Sequence, residues 1–324
     1  MKKTIRHINA LGLGFSFLSS TITHKAFIAG MPVSAGVEIT NYCNLKCPQC
    51  TTGSGSMTRA NGFMKEEMFD KFISEAGQFL YNINLYFQGE PMLHPQFFSF
   101  IAKPGRPKIT VSTNGHFLSE ENSFKLVRSG IDKLIVSLDG MDSETYSRYR
   151  VAGDIDKVTA GIRNVSSELL KFKTSLKLEV QFLVNRFNES QIPLVKKFAK
   201  EVNASLKLKS VQVLNMEETE QWMPAIEKFK RYKKNQNGIF IPKNHFNNNC
   251  LRLWMNPVIT WDGKVIPCCF DKNAEHVMGD LNEQSFREIW LGEKFKTFRS
   301  SVLKGRKSIE ICRNCTSGLR RVSC

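Results

Sequence analysis

From residue 37 to about residue 214 the chain alternates two kinds of hydrophobic pattern. Short runs that are almost wholly apolar and β-branched fall at residues 37–40, 83–87, 108–112, 133–138, 176–183 and 206–214, which reads as buried strands. Between them apolar positions recur every three or four residues, at 65–79, 95–102, 119–129, 156–171, 190–202 and 220–234, which reads as amphipathic helices. Strand, helix, strand in repetition predicts right-handed crossovers and a parallel sheet covered by helices. Six such units are fewer than the eight that close a full barrel, so the expected fold class is α/β, a partial (β/α)6 TIM-like barrel with one side open.

The pattern lapses at residues 235–249, where Gly238, Pro242 and a run of asparagines read as a linker. Beyond it, Asp262-Gly263 inside residues 261–267 reads as a β-hairpin, and residues 284–303 read as one or two helices. The expected domains are an extension at 1–36, the partial barrel at 37–235 and a small C-terminal domain at 236–324. Lys2, Lys3 and Arg6 precede the apolar run 11–18, the outline of a signal peptide, but Gly12 and Gly14 interrupt it and no cleavage-type sequence follows. A helix packed on the barrel is therefore expected there, with membrane-surface attachment or secretion as the alternative. No apolar stretch is long enough to span a bilayer.

Composition adds bounds rather than an identity. Hydrophobic residues at 41% and charged residues at 23% describe an ordinary globular chain of 324 residues. The net charge of +16 favours acidic partners by long-range steering, although lysine-rich faces are commonly just solvated. The nine cysteines are too sparse for a disulfide scaffold and fall in two groups, which points to metal ligation and a reducing, cytoplasmic setting.

The first group is Cys43, Cys47 and Cys50, a C-x3-C-x2-C in the loop after the first predicted strand. Loops after strands carry barrel chemistry. Three thiolates can hold three irons of a cubane and leave the fourth open, though a zinc site or free thiols would also use such residues. Residues 41–50, NYCNLKCPQC, resemble the signature of radical S-adenosylmethionine (SAM) enzymes, with Gln49 where an aromatic residue is usual. The resemblance implies that Cys43, Cys47 and Cys50 are catalytic as holders of a 4Fe-4S cluster whose open iron chelates S-adenosylmethionine. An electron would then split a carbon–sulfur bond, and the 5'-deoxyadenosyl radical would take a substrate hydrogen.

Three further segments carry the resemblance. Gln88-Gly89-Glu90-Pro91, after the second strand, is similar to the family's Gly-Gly-Glu, which implies that Glu90 and the backbone of Gln88 and Gly89 hold the methionine amino group. Ser112, Thr113 and Asn114 after the third strand, and Ser137 with Asp139 after the fourth, resemble segments lining the cofactor pocket, with Ser137 and Asp139 at the ribose. Alone, each is an ordinary turn signal. All four fall at the C-terminal ends of successive predicted strands, where barrel loops converge. Arg150, beside Tyr146 and Tyr149, could pair with a carboxylate of cofactor or substrate, or be an exposed helix-end residue.

The second group is Cys250, Cys268, Cys269, Cys312, Cys315 and Cys324, with Cys312 and Cys315 forming one C-x2-C knuckle. Four thiolates could complete a cubane; a structural zinc ribbon is the alternative, though it usually offers two knuckles. With Pro267-Cys268-Cys269 and Gly279-Asp280-Leu281 around them, these cysteines resemble the SPASM or Twitch extension of radical SAM enzymes. That implies one auxiliary 4Fe-4S cluster on Cys250, Cys268, Cys312 and Cys315, with Cys269 able to replace Cys268 and Cys324 unassigned. His245 and His276 read as surface or packing histidines.

The expected activity is hydrogen abstraction from a small alcohol or aminosugar, as in the aminocyclitol dehydrogenases whose auxiliary cysteine spacing is similar. A peptide or protein side chain, as in other SPASM enzymes, is the alternative substrate class. A non-catalytic metal protein that holds nucleic acid is a third reading, but the 24 Phe lie at core-like spacing, so no nucleic acid is expected. The resemblance implies an acidic electron donor, flavodoxin or ferredoxin, which suits the basic charge. Arg252 and Tyr149 are candidates for completing substrate chemistry.

Overall fold

The computed structural model describes residues 2–102, 105–244 and 247–315, the side chain of Lys2 excepted. In chain order its elements are α1 (Lys2–Thr23), β1 (Ser34–Val37), α2 (Glu66–Ala76), β2 (Asn82–Asn84), α3 (Phe97–Ile101), β3 (Lys108–Thr113), α4 (Glu120–Arg128) and β4 (Lys133–Ser137). There follow α5 (Ser143–Tyr149), α6 (Ile155–Phe172), β5 (Lys177–Val184), α7 (Ile192–Glu201), β6 (Ser205–Ser210), α8 (Thr219–Trp222), β7 (Tyr232–Lys234) and β8 (Phe240–Pro242). The last are α9 (Leu251–Met255), β9 (Val258–Ile259), β10 (Lys264–Ile266), β11 (Gly279–Asp280), α10 (Phe286–Leu291), α11 (Glu293–Gly305) and α12 (Glu310–Arg313).

The six expected parallel strands are present as β1–β6, and the fold is α/β as expected. The described residues form two compact units, one made of residues 2–42, 58–102, 105–109 and 247–315, the other of 43–57 and 110–244. In the first, strands lie in the order β11-β10-β9-β1-β2. β1 is parallel to both β2 and β9, while β9, β10 and β11 form an antiparallel meander. In the second, β3, β4, β5 and β6 are parallel neighbours in sequence order.

Local chemistry accounts for these elements. In α6, Asp154 caps the Asp156 and Lys157 N–H groups, and the buried positions Ile155, Val158, Ile162 and Val165 keep the helical period. α10 starts with a full capping box between Ser285 and Glu288. The strands β4 and β5 read as apolar runs because Leu134, Val136, Val180 and Phe182 are fully buried. In the first unit Phe69, Phe72, Phe100, Phe286 and Trp290 form an aromatic core, with Phe72 edge-on to Phe286 at 5.0 Å.

The structure corrects four expectations. The helix predicted at 220–234 stops as α8, because Pro224 biases Met223 to extended backbone (ψ 126°) and has no N–H to continue the ladder. Its last three residues are β7, which pairs with β8 across a turn where Gly238 has φ +75°. Part of the predicted linker is therefore a hairpin, and His245 within it lies outside the described residues. By contrast, the predicted hairpin at 261–267 is present as the β9–β10 turn, with Gly263 at φ +87°, and β9 also pairs in parallel with β1. The strand expected to run to 214 ends at Ser210, and α5, capped by Asp142, went unpredicted because its seven residues are too short for a periodic signal.

The expected N-terminal helix exists as α1. It packs within the first unit: Arg6 donates to the Gly77 and Gln78 carbonyls, and Phe17 meets Trp254 edge-on at 5.5 Å. Among the described residues no helix is long and apolar enough to cross a membrane.

Candidate active site

In the second unit, the loop carrying Cys43, Cys47 and Cys50 is drawn tight by backbone bonds. Cys50 N donates to Cys47 O at 3.2 Å, Ser54 N to Cys50 O at 2.8 Å and Lys46 N to Val151 O at 2.9 Å. Gly53 permits this closure, since a Cβ there would lie 2.5 Å from Cys47 N. Cys47 is buried among Leu45, Tyr149, Val211, Val213, Trp222 and Tyr232, and Cys43 and Cys50 pack against the same cluster. Three thiols thus share one apolar floor.

Donors surround the sulfurs. Leu45 N lies 3.4 Å and Asn114 Nδ2 4.0 Å from Cys43 Sγ, and Arg150 Nη1 lies 3.8 Å from Cys47 Sγ. Arg150 is held by Asp139, whose Oδ2 accepts from Nε at 2.6 Å and Nη2 at 2.5 Å, while Oδ1 accepts from Leu183 N at 2.6 Å. Burial pushes the Cys47 thiol pKa up, and Arg150 offsets only part of this. Burial works against the Arg150 cation, but Asp139 and Cys47 outweigh it and raise its pKa well above the usual value. Tyr146 and Tyr149 are kept as neutral phenols by burial.

Asp139 is expected at the cofactor ribose, and Arg150 either on a carboxylate of cofactor or substrate or exposed at a helix end; here the two side chains engage each other. Asn114 donates to Asn44 Oδ1 at 2.8 Å, and Thr113 Oγ1 accepts from Gly115 N at 3.1 Å. Ser112 is half-buried near the end of β3, and Ser137 is buried at the end of β4. Gln49, the departure from the aromatic pattern, accepts from Leu214 N at 2.7 Å and donates to Glu218. It ties the cysteine loop to the segment after β6, a link the sequence did not announce.

In the first unit, Gln88, Gly89 and Glu90 follow β2. Gly89 has φ +76°, and a Cβ there would lie 2.6 Å from the Asn41 backbone, so only glycine fits. Glu90 N donates to Tyr42 O at 2.7 Å, and its carboxylate caps Met92 N at 3.1 Å. Gln88 N lies 3.3 Å from Glu38 Oε2. Glu38, which sequence reasoning passed over, is fully buried and takes both Arg59 nitrogens, at 2.6 and 2.5 Å. Burial raises its pKa despite Arg59. A lone acid in an apolar strand was the available signal.

The same unit gathers the second thiol group. Cys250 precedes α9, Cys268 and Cys269 follow β10, Cys312 lies in α12 and Cys315 just beyond it. Arg252 Nη1 lies 2.7 Å from Cys269 Sγ, and Arg306 Nη2 lies 3.6 Å from Cys315 Sγ. Cys269 foremost, then Cys268, Cys315 and Cys250, raise the Arg252 pKa. Burial opposes the Arg306 cation, but Cys250, Cys315 and Cys312 raise its pKa. Five thiols therefore lie within range of two guanidinium groups. Burial pushes Cys312 up to about 11, and it also raises Cys268, with Cys269 repelling alongside. Both Cys268 and Cys269 remain candidates as ligands, while Cys324 lies outside the described residues. His276 is paired with Glu310 at 2.6 Å.

Both groups suit iron–sulfur ligation on the same grounds: buried or half-buried cysteines, N–H donors near the sulfurs, and cations to balance thiolate charge. Among the described residues no three His, Cys, Asp or Glu groups close around one ion position. Cubane ligands sit on separate irons and need no such point. Cys43, Cys47 and Cys50 could hold a cluster with one open iron, and Cys250, Cys268 or Cys269, Cys312 and Cys315 a fully ligated one.

Both cysteine groups, Cys324 aside, fall within segments that match known protein families. Residues 37–176 match the radical SAM superfamily, and residues 250–316 match the SPASM iron-sulfur cluster-binding domain. An AdoMet-dependent heme synthase of Methanosarcina barkeri is 27% identical over 322 residues, covering 86% of this chain and 89% of the relative. An S-adenosyl-L-methionine-dependent 2-deoxy-scyllo-inosamine dehydrogenase of Niallia circulans is 23% identical over 291 residues, covering 87% and 91%. Among solved structures, BtrN in complex with AdoMet and 2-DOIA has a TM-score of 0.56 at 19% identity, covering 90% of this chain and 96% of its own. SuiB of Streptococcus suis bound to S-adenosylmethionine has a TM-score of 0.65 at 12% identity, covering 94% and 76%.

Proposed function

Because this chain belongs to the radical SAM superfamily and carries a SPASM iron–sulfur domain, we propose that it oxidises a small alcohol of the aminosugar or aminocyclitol kind. When bound, the first cluster supplies the electron that cleaves S-adenosylmethionine for hydrogen abstraction, and the auxiliary cluster supplies an acceptor for the substrate's second electron. Cys43, Cys47 and Cys50 hold the first cluster. Arg150, clamped by Asp139, keeps its guanidinium on the Cys47 sulfur, and Asn114 points its amide at Cys43. The buried floor of Tyr149 and Trp222 keeps water from that side of the sulfurs. Gln88, Gly89, Glu90, Ser112, Thr113, Ser137 and Asp139 are assigned to cofactor binding and its support. Cys250, Cys268, Cys312 and Cys315 hold the auxiliary cluster.

The reading rests on one observation, the three thiols of one short loop collected on a single apolar floor with N–H donors directed at two of them. The substrate class is supported by the dehydrogenase relative, which aligns along nearly its whole length. An acidic electron donor such as flavodoxin or ferredoxin suits the charge of +16, and a reducing, cytoplasmic setting suits the thiols.

The test is anaerobic reconstitution followed by reduction with S-adenosylmethionine and deuterated candidate substrates. About eight irons per chain are expected, with 5'-deoxyadenosine formed and deuterium carried into it from an aminocyclitol or sugar alcohol. Deuterium arriving only from peptides would move the assignment to peptide modification. Failure to form deoxyadenosine after full iron loading would refute the active site.

A further inference from the structure

Helix α1 is turned the wrong way round for a helix that merely covers a core. Its buried residues are Asn9, Leu13, Ser16 and Ser20, of which three are polar. Asn9 accepts from Met31 N at 2.7 Å and donates to Met31 O at 2.8 Å; Ser20 Oγ accepts from Phe27 N at 2.9 Å. At Gly12 a Cβ would lie 2.4 Å from Ala29 O, so the inner face is sealed against the following segment. The outer face carries Ile8, Leu11, Phe15, Leu18 and Ile22, each between 61 and 77% exposed. These recur at three- and four-residue intervals along about 21 Å of helix.

Single exposed apolar residues need no explanation, but an aligned row of five does. Charge identifies its occupant. Residues 8–23 contain no charged side chain, while Lys2, Lys3 and Arg6 precede the row and Lys25 follows it. The first acidic residue of the chain is Glu38. A second copy of the helix would use a seam of this period, but such seams are normally flanked by charges that set register, and here the flanks are Ala10, Gly12, Gly14, Ser19 and Thr21. An uncharged apolar row between cationic ends matches the boundary of a bilayer with anionic headgroups. The helix does not qualify as a membrane span, which leaves it lying in the surface plane.

We propose that α1 attaches this protein peripherally to anionic membranes through Ile8, Leu11, Phe15, Leu18 and Ile22, with Lys3 and Lys25 on lipid headgroups. The proposal is independent of the assigned reaction.

Flotation of the full chain with vesicles of phosphatidylcholine, and of phosphatidylcholine with phosphatidylglycerol, tests it. Wild type should float with the anionic vesicles and much less with the neutral ones, and salt should weaken the binding. Leu11→Gln with Phe15→Gln alters only exposed positions and should reduce partitioning by roughly a hundredfold, from two apolar side chains no longer buried. Lys3→Glu with Lys25→Glu, which leaves the apolar row intact, should also weaken binding to the anionic vesicles. Unchanged thermal unfolding of both variants would show that folding is intact. Wild-type protein that stays unbound with both vesicles overturns the proposal. So does a dimer that the Leu11→Gln, Phe15→Gln variant dissolves without any vesicle binding, which would assign the row to a second copy.

Discussion

Arg148 and Arg150 sit two residues apart, and each pairs with a carboxylate, yet their environments predict opposite sensitivities. The Asp139 side chain is fully buried and that of Arg150 is 15% exposed, whereas those of Arg148 and Glu144 are 49% and 80% exposed. Arg150→Ala strands a buried carboxylate that keeps only the Leu183 N–H on its other oxygen. Breaking a buried pair from one side costs roughly 3–5 kcal/mol. The surviving N–H bond argues for the lower end, about 3 kcal/mol, or roughly a hundredfold in the folding equilibrium. Arg148→Ala should cost below about 0.5 kcal/mol, because water screens the pair. Adding Asp139→Asn to Arg150→Ala should recover part of the loss, since a neutral amide is cheaper to bury and still accepts from Leu183 N. Urea unfolding of the metal-free chain without oxygen, followed by tryptophan fluorescence, gives the comparison from midpoints at equal slope. If the two arginine variants unfold alike, or if Asp139→Asn deepens the loss, the buried-pair account fails.

Gly89→Ala combines a left-handed backbone with a Cβ 2.6 Å from the Asn41 backbone, so a loss of about 2–4 kcal/mol is expected in thermal unfolding, together with weaker S-adenosylmethionine binding by calorimetry. An unchanged melting temperature would mean that the turn relaxes freely. Cys312→Ala should lower iron content by about four atoms per chain while deoxyadenosine formation persists, and an iron assay beside chromatography separates the two. Lys264 donates to Asp280; burial pushes that carboxyl upward, but the lysine and Asn282 hold its pKa below the usual value. A depressed folded-state pKa gives stability that is present above the usual carboxylate range and disappears as pH falls through the lowered value. Lys264→Met should therefore cost below about 1 kcal/mol at pH 7, with the difference from wild type vanishing in strong acid during a pH series of urea midpoints.

The strands and both cysteine groups were legible because each has a local signal. A buried strand such as β4 is a continuous apolar run, and Cys43, Cys47 and Cys50 lie within eight positions. What escaped was set by partners distant in sequence. Arg150 reads as a helix-end cation until Asp139 and Cys47 are brought to it, and Gln49 reads as a flaw in a motif until Leu214 and Glu218 meet its amide. The extent of the helix predicted at 220–234 failed for another reason. Its apolar spacing was real, but Pro224 removes a backbone donor, and Tyr232 and Phe240 lie on strands that pair as a hairpin. The turn at Gly238 was visible as a glycine but read as the end of order rather than as a reversal.

The two thiol sites differ in the cations that reach their sulfurs, and that difference carries a functional consequence. Arg150 reaches Cys47 with Asp139 attached, so the pair adds almost no net charge beside the first sulfurs. Arg252 and Arg306 reach the second group with thiols as the charges that raise their pKa values. Net charge and hydrogen bonds to sulfur set cluster potentials, so guanidinium groups from both Arg252 and Arg306 beside the second sulfurs should favour the reduced state there and leave the first site harder to reduce. That ordering suits the proposed roles, in which a cluster at the first site would give an electron to a sulfonium bond and one at the second would accept an electron from the substrate radical. In an anaerobic redox titration followed by electron paramagnetic resonance, the auxiliary signal should appear at the higher potential, and Arg252→Leu should lower that potential while leaving the first unchanged. A first site that reduces more easily than the second would contradict the charge argument at its root.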